Sequence, residues 1–231
     1  MKSPALLRYF FVAALLGISR GKAGTIAGTI RGAPPAVAGG GSAGGGSYDS
    51  RRYKFVEKFD YEALRDFLVY VDEPMSELLA AGAKPAPLVM SQKEANFEPR
   101  MLPIVVGSTV RWPNEDEIFH NVFSMSESKE FDLGFYKKDK VPEVVFDRAG
   151  RVDVFCAIHS KMHCVIMVLP NRFFAKSDDK GRFMIKGLPA GTFKVRAWHE
   201  RLPAQTRLIE VAAEGEMKIE FTLGVGQKMA P

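Results

Sequence analysis

The sequence is poor in features that several kinds of protein depend on. Only two of its 231 residues are cysteines, so at most one disulfide can form and disulfides are not the framework of the fold. No run of Lys and Arg interleaved with aromatic residues occurs, which argues against a nucleic-acid-binding surface. No long amphipathic helix pattern is present either. What is present is a hydrophobic content of 46%, enough for one sizeable core or two modest ones.

Residues 1–23 have the composition of a secretory signal peptide. Lys2 and Arg8 precede an apolar run at positions 9–18, and the small residue Ala23 closes the segment. The run of about ten residues is shorter than the roughly 20 that a helix needs to cross a bilayer. This favours cleavage over the alternative, an uncleaved membrane anchor. We expect a periplasmic or secreted protein with no membrane span after cleavage.

The net charge adds no evidence for a charged partner. The whole chain carries a formal charge of +5, but the signal segment holds four basic residues and no acid. Its removal leaves a charge of about +1. Such a nearly neutral protein lacks the electrostatic footprint of nucleic-acid binding, so we expect no nucleic-acid partner.

The pattern of the remaining chain is that of an all-β protein. Short apolar runs with a period close to two alternate with turn residues from residue 88 onward, which is typical of an antiparallel sandwich. Before them, residues 24–31 and 67–71 indicate two strands, separated by a Gly- and Ala-rich loop that includes residues 33–47. The segment 74–88 is predicted to be a loop with one helical turn.

Four residues with metal-binding side chains form the most informative pattern. Cys156, His159 and Met162 are spaced as C-x2-H-x2-M, and His120 lies 36 positions before the cysteine, after the turn PNED. A thiolate and two imidazoles suit copper in both oxidation states, and a thioether adds a weak fourth bond. Three ligands in one short loop and a fourth on a neighbouring strand can face one ion on a rigid β scaffold. The pattern predicts one copper ion bound by these four residues.

The segment from QKEANFEPRMLPIVVG through FHNVFS to DVFCAIHSKMHCVIMV resembles the cupredoxins of the plastocyanin and azurin family, and its short ligand loop is most similar to that of amicyanin. The resemblance covers roughly residues 90–170. It implies a Greek-key β-sandwich with a type 1 (blue) copper site. It also implies that Asn121 helps to tie the ligand loop to the neighbouring strand.

The resemblance further implies electron transfer between redox partner proteins. In such proteins the loop histidine, here His159, is the port for the electron, and it lies in an apolar patch to which Ala157, Ile158 and Phe119 would contribute. Lys161 and the lysines of the segment 137–140 suggest an acidic partner, and the alternative is an ordinary solvated surface. The partners themselves are not identified by this pattern.

A second resemblance concerns both ends of the chain. The runs GTIAGTI, FLVYV and SDDKGRFMIKGLPAGTFKVRAW are similar to pieces of the carboxypeptidase regulatory-like, or transthyretin-like, β-sandwich. Members of that family are usually passive modules, which act as spacers or as interaction domains and do not catalyse reactions. The predicted organisation is therefore a copper domain at 86–170, inserted between the strands and loop of 24–85 and the second sandwich at 171–231.

Other readings of the same residues remain open. Cys156 could form a disulfide with Cys164, which we otherwise expect to be a buried structural residue. His163 could replace Met162 as the axial ligand or coordinate a second metal ion, although successive strand residues point to opposite faces.

Two further groups have plain structural readings. His199 is expected to be structural or exposed. The segment Asp178–Asp179–Lys180–Gly181 is expected to be a turn, since it lacks the ligands of a calcium site.

No enzyme is predicted, and no small-molecule substrate. All four metal positions are filled by protein, and the metalloprotease motif H-E-x-x-H is absent. The alternatives to an electron carrier are a copper storage or delivery module and a structural sandwich without metal. Met-rich repeats, which would favour storage, are absent.

The signal segment gives the first testable prediction. When the full chain is expressed in a bacterium with an export system, intact mass spectrometry of the periplasmic protein should show a chain lacking residues 1–23. A full-length mass recovered from the membrane fraction would instead establish the anchor.

Overall fold

The computed structural model describes residues 23–34, 60–75 and 86–224, and these ranges contain β-strands and no helix. The predicted all-β class is therefore confirmed. Most of the predicted signal peptide and of the Gly- and Ala-rich loop, and the greater part of the segment with the predicted helical turn, lie outside the described residues. Within the described ranges no helix is long and apolar enough to cross a membrane.

The strands are β1 Gly24–Gly32, β2 Leu68–Val71, β3 Leu88–Val89, β4 Ser91–Lys93, β5 Asn96–Glu98, β6 Met101–Val105, β7 Ser108–Arg111, β8 His120–Ser126, β9 Lys129–Tyr136, β10 Glu143–Phe146, β11 Gly150–Phe155, β12 His163–Leu169, β13 Phe174–Lys176, β14 Arg182–Leu188, β15 Gly191–His199, β16 Leu202–Val211 and β17 Glu216–Leu223.

The strands between residues 88 and 169 form a first sandwich. A five-stranded sheet has the order β6-β12-β11-β8-β9, a three-stranded sheet has the order β10-β7-β3, and β4 and β5 form a hairpin. Alternate residues of each strand enter the core between them, as the pleat of a strand requires. Trp112, Phe146 and Ile166 are fully buried there.

The remaining strands form a second sandwich from both ends of the chain. One sheet has the order β14-β1-β17 and the other β13-β2-β15-β16. β13 lies antiparallel to β2, with Phe174 opposite Tyr70. The chain thus leaves the second sandwich after β2, builds the first sandwich, and returns beside the strand that it left. The predicted boundaries at residues 85 and 170 stay predictions.

A third apolar cluster joins the two sandwiches. Its members come from β2, β6, β12 and β15 and their ends, and all are at most 8% exposed: Leu68, Tyr70, Met101, Val165, Met167, Leu169 and Trp198. β2 and β12 are therefore buried on both faces, since Val69 and Val71 face the second core while Cys164, Ile166 and Val168 face the first. The four sheets form one stack, and the two sandwiches are packed together over a hydrophobic interface.

This shared cluster predicts that the two sandwiches unfold together. Leu68→Ala, at a fully buried position of the interface, should lower the free energy of unfolding by about 2–5 kcal/mol without splitting the transition. Leu208→Ala, at a position that is 70% exposed, is the matched control and should change it by less than about 0.5 kcal/mol. Denaturant unfolding followed by fluorescence and circular dichroism measures both. Two separate transitions would contradict a cooperative stack.

Candidate metal centre

The central strands of the five-stranded sheet bring three of the predicted ligands to one end of the first sandwich. His120 is the first residue of β8, and Cys156 directly follows β11. β8 and β11 are neighbours, with Phe123 opposite Phe155. The loop after Cys156 carries His159 and Met162 and ends where β12 begins. His120 was predicted to lie beside the strand that leads to Cys156, and the structure places it there.

Three donor atoms converge at this end. The Nδ1 atoms of His120 and His159 are 3.0 Å apart, and the Sγ atom of Cys156 lies 3.9 Å from the first and 3.6 Å from the second. A point equidistant from the three atoms lies about 2.1 Å from each, which matches the roughly 2.0–2.3 Å bonds that imidazole and thiolate donors make to a transition metal such as zinc. Among the described residues, this is the one group of three or more His, Cys, Asp or Glu side chains close enough to share a metal ion.

The donors differ in their access to solvent. His120 is fully buried and Cys156 is 5% exposed, whereas His159 is half-buried. A metal between them would be shielded on the side of His120 and Cys156, and the ring of His159 is its connection to the surface. Cys156 is a free thiol, so the open alternative of a disulfide with Cys164 is not the state of this structure.

Met162 is placed near these donors, but its role as a ligand stays a prediction. Its side chain is 1% exposed and lies in the same core cluster as Cys156. The backbone closes a tight loop around it: Met162 N–H donates to the carbonyl of His159 at 2.9 Å, and Cys156 N–H donates to the carbonyl of Met162 at 3.3 Å.

An acidic residue that the sequence did not single out holds the ring of His120. The Nε2 atom of His120 lies 2.8 Å from Oδ2 of Asp116, so this nitrogen carries the proton and Nδ1 is left free to bind a metal. Burial alone would raise the pKa of Asp116, but hydrogen bonds from Ala95, His120 and Glu94 hold it below its usual value. The carboxylate is therefore ionised when it supports the ring.

The other donors to Asp116 come from the turn between β4 and β5. Its two central residues, Glu94 and Ala95, have φ angles of 50° and 52°, in the left-handed region that costs roughly 1–2 kcal/mol for each residue that is not glycine. Their N–H groups donate to the carboxylate of Asp116 at 2.7 and 2.9 Å. One carboxylate thus stabilises a strained hairpin turn and fixes a candidate ligand.

A buried amide holds the loop that carries Asp116. Asn114, which is 3% exposed, accepts a hydrogen bond from Asp116 N–H at 2.9 Å and donates to the carbonyls of Ile118 and Tyr136 at 2.9 and 3.0 Å. Gln92 donates to the hydroxyl of Tyr136 at 2.6 Å, so the network reaches β4. The turn PNED was predicted, but the sequence does not tell which of its acidic residues reaches back to the histidine.

Asn121 makes a different contact from the one expected. It is 3% exposed, and its Nδ2 donates to Oδ1 of Asp132 on β9 at 2.6 Å. Its Oδ1 is buried and has no hydrogen-bond partner among the residues that the structure describes. That free acceptor leaves room for a bond to the ligand loop, and the predicted tie to that loop stays a prediction.

The residues with alternative readings have structural roles here. Cys164 is fully buried on β12, and its burial raises the pKa of the thiol well above its usual value. His199 is buried against Phe67, with ring centroids 4.8 Å apart, and its pKa is lowered by that burial. Asp178 accepts from the N–H groups of Lys180 and Arg182, as in an ordinary turn.

No protein-family model matches this chain, and no curated protein matches it significantly. Solved structures do show similarity. A copper-containing nitrite reductase from Thermus scotoductus SA-01 is 22% identical, with a TM-score of 0.37, over 43% of this chain and 26% of its own length. A mutant of amicyanin in the Cu(I) state is 22% identical, with a TM-score of 0.34, over 43% of this chain and 97% of its own. A purple cupredoxin from Nitrosopumilus maritimus is 24% identical, with a TM-score of 0.32, over 35% of this chain and 98% of its own.

Each of these similarities extends over less than half of this chain. The chain spans about a quarter of the nitrite reductase and almost all of the two smaller proteins. At such TM-scores the likeness carries no argument about the metal or the activity. Those depend on the donor atoms described above.

The contact between Asp116 and His120 predicts the effect of a nearly isosteric change. Asp116→Asn replaces one carboxylate oxygen by an amide nitrogen, which cannot accept from the N–H groups of the turn or of the ring. The affinity for Cu(II), measured by competition with a chromogenic chelator, should fall about 10–100-fold. Glu117→Gln, which removes the neighbouring exposed charge paired with Lys138, is the control and should leave the affinity unchanged. Equal affinities for all three proteins would refute this role of Asp116.

Proposed function

We propose that this protein is an exported one-electron carrier with a single type 1 copper ion bound by His120, Cys156, His159 and Met162. The observation that carries the proposal is the convergence of two Nδ1 atoms and one Sγ atom on a point about 2.1 Å from each. It is an arrangement that side chains adopt at a metal site and that a purely structural sandwich does not require.

The chemistry of the donors favours copper. A trigonal set of two imidazoles and a thiolate with a weak axial thioether suits both Cu(II) and Cu(I), whereas structural zinc sites take four strong donors. Copper in such a site supplies a one-electron couple. The chain's part is to hold His120 through Asp116 and to hold Cys156 and Met162 within a packed core, so that the donors need to move little between the two states.

Burial of the donors favours an electron carrier over an enzyme. His120, Cys156 and Met162 are between 0% and 5% exposed, so a substrate has no access to the ion from their side. The half-buried ring of His159 is the remaining route between the ion and solvent. An imidazole ring conducts an electron to a partner without giving up its place at the metal.

The surface around His159 fits a protein partner. Ile118, Phe119 and Ile158, which lie close to His120 and His159 in the chain, are 47%, 52% and 51% exposed, and grouped apolar side chains on a surface mark interaction sites. Two of the nearby lysines are engaged within the chain, since Lys137 lies 4.6 Å over the ring of Phe119 and Lys138 pairs with Glu117, whereas Lys161 of the ligand loop is exposed. We therefore propose a docking face that is chiefly apolar, on which redox partner proteins bind.

The compartment is part of the same proposal. Residues 1–23 have the pattern of a signal peptide, and the periplasm or the cell exterior is where an exported carrier would meet its partners. The four basic residues of that segment would then be absent from the working protein.

An absorption spectrum tests the proposal. The protein with one equivalent of Cu(II) should show an intense thiolate-to-copper charge-transfer band in the visible range, and the band should disappear in Cys156→Ala. Cys164→Ala is the matched control, since it removes the other buried thiol from the adjacent strand, and the band should remain.

Two results would count against the carrier. A protein that binds copper without the intense band would favour a storage or delivery module, and one that binds none would favour a structural sandwich. A band that survives in Cys156→Ala would mean that another sulfur is the ligand.

A further inference from the structure

The ligand loop is weakly packed between its two ends. Ala157, Ile158, Ser160 and Lys161 are all exposed, and the sequence of the loop contains no proline. Its geometry therefore depends on the two backbone hydrogen bonds among Cys156, His159 and Met162 and on how firmly the strands at its ends are held. At the far end the chain passes directly from Met162 into β12, whose first residue is His163.

The side chain of His163 is held on three sides. Its Nε2 lies 2.9 Å from Oδ1 of Asp153 on β11, and its Nδ1 lies 3.3 Å from Oε1 of Glu200. Its ring stacks on Phe155, with centroids 4.8 Å apart and an angle of 28° between the planes. Phe155 directly precedes Cys156, and His163 directly follows Met162. The contact between these two rings therefore joins the two ends of the ligand loop.

One of these three contacts comes from the second sandwich. Glu200 lies in the turn between β15 and β16, and its other carboxylate oxygen is 3.6 Å from Arg100, which precedes β6 of the first sandwich. The turn is anchored by Trp198, a member of the shared interface cluster, against which Arg151 lies at 5.7 Å. The second sandwich thus reaches the end of the ligand loop through the carboxylate of Glu200, which has one oxygen near His163 and the other near Arg100.

We propose that Glu200 is a positioning residue for the copper site, and that the second sandwich is in this way a working part of that site. This inference rests on the proposed function. By holding the ring of His163, Glu200 fixes the start of β12 and with it the position of Met162. As the proposed fourth ligand, Met162 would make a weak bond to the copper ion, and since such a bond tunes the reduction potential, a small displacement of Met162 would change that potential.

A trio of variants tests this role on the copper-loaded full chain. Glu200→Ala removes the carboxylate that contacts the ring of His163. Glu200→Gln removes the charge but keeps a side chain of the same size, with an oxygen beside that ring. Glu210→Ala removes the same charge at the opposite end of the β15–β16 hairpin, where Glu210 pairs with Thr192, roughly 25 Å away along the strands.

The readouts are the reduction potential and the copper hyperfine splitting in the electron paramagnetic resonance spectrum. We expect Glu200→Ala to shift the potential and to alter or broaden the hyperfine lines, Glu200→Gln to restore most of the wild-type values, and Glu210→Ala to match the wild type. Equal shifts in Glu200→Ala and Glu200→Gln with unchanged hyperfine lines would reveal a mere charge effect and overturn the positioning role. So would a Glu200→Ala protein indistinguishable from wild type.

The same experiment separates this inference from the function beneath it. A wild-type protein with no type 1 copper spectrum would overturn the proposed function, and the positioning role with it. A wild-type protein with that spectrum and an insensitive Glu200 would overturn the positioning role alone.

Discussion

The burial of β12 on both of its faces is the constraint on which the rest of the structure depends. Cys164, Ile166 and Val168 point into the first core, and Val165, Met167 and Leu169 point into the cluster shared with the second sandwich. The strand cannot shift by one residue without exchanging these two sets. Since β12 begins directly after Met162, its fixed register also fixes one end of the ligand loop, and β8 and β11 supply the other donors from the same sheet.

The second constraint is that each candidate ligand is held by its own set of contacts. Asp116 orients His120 and draws its support from two N–H groups of a strained turn, whereas Cys156 and Met162 are held by burial and by backbone hydrogen bonds across the loop. His159 alone keeps a partly exposed ring. An ion held in this way would sit in a donor set that is preformed by the fold, and its one accessible side would be the side of His159.

Much of this could be predicted from the sequence, because the relevant signals are local. The C-x2-H-x2-M spacing named Cys156 and His159, which the structure brings together with His120, and the period of two predicted the strands and the all-β class. The role of Met162 as a ligand stays a prediction. The unbroken apolar run of β12 is itself typical of a strand buried on both faces. Asp116 and Glu200 were missed because their roles arise from contacts between distant segments: Asp116 meets a turn 21 and 22 positions earlier, whose positive φ angles Glu94 and Ala95 do not signal. The contact of Glu200 with His163 exists only once the two sandwiches are packed together.

X-ray absorption at the copper edge, on the oxidised and the reduced protein, tests the central claim most directly. The account predicts one short bond to sulfur and two bonds to imidazole nitrogen at about 2 Å, retained with little change when Cu(II) is reduced to Cu(I). A copper environment without a short sulfur bond, or one that gains or loses a nitrogen ligand on reduction, would contradict a preformed electron-transfer site.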